Sequence, residues 1–87
     1  MSKTITLTVA GTDVIFQPTP DLYAEYMGQI AQGNISDGAH NFIMQSVGED
    51  GKEYLRNLTG ENPGAAIQLG STLMQAYAPK IAISVKK

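Results

Sequence analysis

The chain has 87 residues, 43% apolar and 16% charged, with a net charge of -2 and no cysteine. That length holds one domain, residues 1–87, and excludes two. The missing thiols exclude a disulfide scaffold, a thiolate zinc site and a cysteine nucleophile, and six scattered Lys and Arg argue against a nucleic-acid partner.

The opening segment, Thr4 to Val9, alternates polar and apolar residues, with Ile5, Leu7 and Val9 on one face. This pattern is unlike the continuous apolar run of a signal peptide, so a cytoplasmic chain is expected. No stretch approaches the ~18 apolar residues that would span a bilayer, and no membrane partner is expected. The sequons at Asn34 and Asn57 are chance matches on that reading. Ala10-Gly11-Thr12-Asp13 supplies turn chemistry, and Val14-Ile15-Phe16-Gln17 is the partner strand of an N-terminal hairpin.

Helices follow. Thr19 can cap the first, Pro20 fits its opening position, and Asp21 favours the positive end of the dipole. Leu22, Tyr23, Tyr26, Met27 and Ile30 continue at helical spacing until Gly33 stops the run. Ser36 is the expected cap of a second helix carrying Ala39, Phe42, Ile43 and Val47. Asp50 and Glu53 have capping-box spacing for a third, which bears Tyr54, Leu55 and Leu58. Asn62 and Pro63 open a fourth with an apolar stripe at Ala66, Leu69, Gly70, Leu73 and Tyr77. Gly70 in mid-helix costs about 1 kcal/mol relative to Ala, which close approach of a neighbouring backbone would explain.

After Pro79, Ile81-Ala82-Ile83-Ser84-Val85 alternates again. The expected fold is α+β: a small three-stranded, mostly antiparallel sheet (N-terminal hairpin plus C-terminal strand) with about four helices on one face. Strands are expected near 4–10, 13–17 and 81–85, and helices near 20–32, 36–48, 51–59 and 63–78.

No constellation argues for catalysis. His40 is the lone histidine, with Asp37 one helical turn before it. This pair could be a base with its orienting carboxylate, or two metal ligands. A surface or half-buried pair is the better account, because no second imidazole lies nearby. Glu49, Asp50 and Glu53 lack the alternating ligands of a calcium loop. No serine sits in a G-x-S-x-G elbow, and Gly60-Glu61-Asn62-Pro63-Gly64 lacks a P-loop lysine. No catalytic residue, metal or cofactor is therefore expected. The apolar inventory on the helices exceeds what so small a domain can bury, and Met beside aromatics suits an adaptable protein-binding surface. Phe42 and Met44 cannot both point inward at a spacing of two on a helix. Those two, with Tyr23 and Tyr26 next, are the candidate partner contacts.

Several segments resemble the small tail assembly chaperones of long-tailed phages and prophages. They are the opening Lys3-Thr4-Ile5-Thr6-Leu7-Thr8-Val9-Ala10-Gly11, then Ala39-His40-Asn41-Phe42-Ile43-Met44, Pro63-Gly64-Ala65-Ala66-Ile67-Gln68-Leu69 and Ala78-Pro79-Lys80-Ile81-Ala82-Ile83. The resemblance implies a non-enzymatic chaperone in the bacterial host cytoplasm. It would bind the long helical tape measure protein and keep it soluble during tail assembly, with the tail tube protein as a second candidate partner. A small virion structural component, or another cytoplasmic interaction module, is the alternative. The short Lys86-Lys87 tail leaves open whether a longer, frameshifted form exists.

Overall fold

The computed structural model describes residues 3–78 and 82–86. Two strands open the chain, β1 (Ile5–Val9) and β2 (Thr12–Phe16). Four helices follow among the described residues: α1 (Pro20–Ala31), α2 (Ile35–Ser46), α3 (Glu49–Glu61) and α4 (Ala65–Tyr77).

The strands pair antiparallel, with Val9 opposite Thr12 and Ile5 opposite Phe16. Their two-residue link takes positive φ at both positions, 50° at Ala10 and 85° at Gly11. This is the type I′ geometry that matches the twist of a hairpin. Ile5, Val9, Val14 and Phe16 turn inward and are buried, while Thr6, Thr8 and Ile15 face water on the other side.

The helix ends show which local signals held. Thr19 Oγ1 accepts from the Leu22 N–H at 3.1 Å, with Pro20 in the first turn. At the far end of α1, the Asn34 N–H reaches Gln29 C=O and the Gly33 N–H reaches Ile30 C=O, a Schellman motif around Gly33 at φ 85°.

Three expected caps are corrected. Helix α2 starts at Ile35, with Asn34 rather than Ser36 at the cap position, because the Schellman turn delivers the chain straight into it. Helix α3 starts at Glu49, not at an Asp50 cap. The preceding Gly48 N–H is bonded to Ile15 C=O at 2.9 Å, so pairing with the hairpin decides that start. Asn62 closes α3 instead of capping α4: both its backbone and side-chain N–H groups donate to Leu58 C=O. Gly64, at φ 86°, then stands at the α4 cap.

The third strand is also corrected. The sheet has two strands, and Ala82 to Lys86 are exposed and unpaired; Ile81 lies outside the described residues. Alternation marks a segment that favours extended backbone, but it carries no information about a partner edge.

Helix α2 is the centre of the packing, with α1 and α4 against it, and α3 meets the hairpin where the Tyr54 hydroxyl donates to Val9 C=O at 2.9 Å. The core holds Phe16, Phe42, Ile43, Leu55 and Leu73, all essentially inaccessible, with Tyr26, Ala39, Val47 and Leu69 around them. Gly70 is where α4 meets α2. A Cβ there would lie 2.9 Å from Ala39 Cβ and 3.2 Å from Ala39 Cα. The close approach that the sequence suggested is present.

Candidate functional site

The four residues singled out from the sequence separate into two groups. Phe42 and Tyr26 are buried and stack on each other, with ring centroids 4.9 Å apart and planes 22° apart. Burial raises the Tyr26 phenol above its ordinary value, because the charged form would lose its water. Tyr23 and Met44 are half-buried and keep part of their surface in solvent. Of the pair at a spacing of two, Phe42 takes the core and Met44 the margin.

Tyr23 leads to a larger surface. Its ring meets Tyr77 at the end of α4, with centroids 5.6 Å apart and tilted by 45°. One turn along α1 stands Met27, 44% exposed, followed by half-buried Ile30. One turn back along α4 stands half-buried Met74, and two further turns back Ile67, 39% exposed. The contact of Tyr23 with Tyr77, and the approach of Tyr26 to Gly70, set the two helices in opposed order. Tyr23 and Tyr77 thus join the two helices, with Met27 and Ile30 continuing the apolar surface along α1 and Met74 and Ile67 continuing it along α4. No acidic or basic residue interrupts these positions.

The sequence marks Met27 on the first helix and Tyr77 on the fourth, but does not place them together. The spacing of four from Tyr23 to Met27 and of three from Met74 to Tyr77 was legible within each helix. Their meeting across two helices was not.

The polar candidates form no such concentration. His40 is exposed and lies with Ser36, Asp37, Arg56 and Thr59 along an open depression of about 550 Å³. Among the described residues, no group of three His, Cys, Asp or Glu is placed to hold a metal ion. Glu49 and Asp50 stand in the first turn of α3, where the dipole favours them, and Lys52 Nζ pairs with Glu49 Oε1 at 3.3 Å. No described helix is long and apolar enough to cross a membrane.

Comparison with known proteins places the chain. It belongs to the phage tail assembly chaperone family, whose profile matches residues 5–87. No curated protein matches it significantly. Among solved structures, it is similar to the uncharacterised protein rbstp2171 from Bacillus stearothermophilus. The two share 18% sequence identity and a TM-score of 0.72, over 97% of this chain and 90% of that one. At that identity the likeness is one of fold.

Proposed function

We propose that this phage tail assembly chaperone works in the host cytoplasm by binding the tape measure protein and keeping it soluble until the tail tube forms around it. It does no chemistry of its own. A long helical chain exposes apolar stripes that aggregate unless a partner covers them, and a helix laid on an apolar surface is recognised through anchors one turn apart. The observation that carries this reading, beside the family, is the Tyr23–Tyr77 contact, from which Met27 and Ile30 along α1 and Met74 and Ile67 along α4 extend partly exposed apolar surface. Met supplies adaptable contact, and Tyr supplies area with a polar rim. The tail tube protein is a second partner on this reading, met when the tape measure protein is handed over.

Co-expression with the tape measure protein of the same phage is expected to raise that protein's soluble yield, and the pair should be recovered together. The interaction should survive several hundred millimolar NaCl, because these residues carry no charge to be screened. Met27→Glu and Ile67→Glu, both at exposed positions, should each cut recovery at least tenfold while circular dichroism stays unchanged. Ile15→Glu, 54% exposed on the far side of the hairpin, should leave recovery as it was. Unchanged yield with the wild-type chain would sink the function, and unchanged recovery with both helix variants would sink the surface.

A further inference from the structure

The hairpin has one closed edge and one open edge. On the β2 side, residues 46–48 lie against the strand: the Gly48 N–H donates to Ile15 C=O at 2.9 Å, and the Gln17 N–H to Ser46 C=O at 2.7 Å. The β1 side differs. Val9 and Thr12 flank the two-residue turn, so Val9, Leu7 and Ile5 carry the ladder bonds and the backbone groups of Thr6 and Thr8 point away from β2. Among the described residues, no strand pairs with that edge. It borders a groove of about 490 Å³ whose apolar lining includes Leu7, Val9, Leu58 and Leu69, with Asn62, Gln68 and Thr72 as polar neighbours. An unpaired edge beside apolar surface is a template for another strand.

A donor exists in the same sequence. Ile83 and Val85 are 84% and 86% exposed, the most solvent-accessible large apolar side chains among the described residues. They alternate with Ala82 and Ser84, as Leu7 and Val9 alternate with Thr6 and Thr8. Among the described residues the segment makes no strand pairing, so each copy carries one unused donor and one unused acceptor.

We propose that residues 82–85 of a second copy add to the open edge of β1, placing Ile83 and Val85 over the groove, so that the chain assembles with itself by strand donation. Charge sets the direction. Lys3 stands at the start of β1, its Nζ donating to Ala76 C=O at 3.2 Å, while Asp13 lies near the far end, where it accepts from Thr8 Oγ1 at 2.7 Å. A donor parallel to β1 carries Lys86 away from Lys3 and toward Asp13. Two copies that exchange tails satisfy both edges and close the assembly as a dimer.

The cysteine-free sequence makes the test direct. Light scattering on the full chain should rise with concentration to twice the 9.3 kDa protomer mass. Ile83→Glu combined with Val85→Glu should return it to the protomer mass with unchanged circular dichroism. Mixing a Thr8→Cys copy with a Ser84→Cys copy, then adding a short bis-maleimide, should link the two different copies. A protomer mass at every concentration overturns the proposal, and so does a dimer that persists in the double Glu variant. A chain carrying both Thr8→Cys and Ser84→Cys that cross-links only within itself would assign the edge to the chain's own tail and overturn it as well. None of these readouts involves the tape measure protein, so they stand or fall apart from the function proposed above.

Discussion

Gly70 shows how one residue's role depends on its neighbours. Its helix propensity alone would make Gly70→Ala stabilising by up to about 1 kcal/mol. The added Cβ, however, would lie 2.9 Å from both Ala39 Cβ and the Tyr26 hydroxyl, and 3.2 Å from Ala39 Cα. The hydroxyl can move, but the Ala39 backbone in the centre of α2 cannot. Overpacking of this kind costs about 1–3 kcal/mol, so Gly70→Ala should lower the urea midpoint rather than raise it. Tyr26 carries a second expectation. Its folded pKa is raised by burial, so the native state favours the neutral phenol. The stability this contributes is complete below the ordinary tyrosine range and is lost as pH rises through the folded value. Tyr26→Phe removes the ionising group, so the alkaline unfolding midpoint, followed by circular dichroism, should move to higher pH. An unmoved midpoint would count against the raised pKa. The sequence made Gly70 conspicuous, because a mid-helix glycine demands a reason. It could not say that Tyr26 and Phe42 stack inside, because periodicity gives the face of a helix and not which neighbour covers it.

Secondary-structure elements were more legible than their ends. Each expected helix is present, displaced by at most two residues at either boundary, because apolar spacing is a property of many residues together. Cap residues are single signals and can be outbid. At Thr19 the local signal and the fold agree, and Thr19→Ala should cost about 1 kcal/mol, as removal of a bonded N-cap does. Ser36→Ala should change stability by less than about 0.5 kcal/mol, because Ser36 lies inside α2 rather than at its cap. Urea unfolding of the two variants side by side checks the contrast. Equal losses would mean that sequence, not the Schellman turn before it, sets the start of α2. The same competition explains α3 and α4. Pairing of Gly48 with Ile15 places one start, and recruitment of Asn62 by the Leu58 carbonyl displaces the other.

At the scale of the whole molecule, the sequence by itself determined a cysteine-free α+β chain. It determined the hairpin through alternation and a glycine turn, the four helices through apolar spacing, and the likeness to tail assembly chaperones through segments spread along the chain. These are local properties, readable within a few residues of one another. Tertiary structure alone decided three things. Phe42 and Tyr26 turned inward as a stack while Tyr23 met Tyr77 across 54 positions of sequence. Residues 46–48 closed one sheet edge. Ala82 to Lys86, strand-like in pattern, stayed outside the sheet. The physical reason is common to all three: a periodic pattern states which face of a segment avoids water, but which other segment covers that face is settled only when distant parts of the chain compete to bury it.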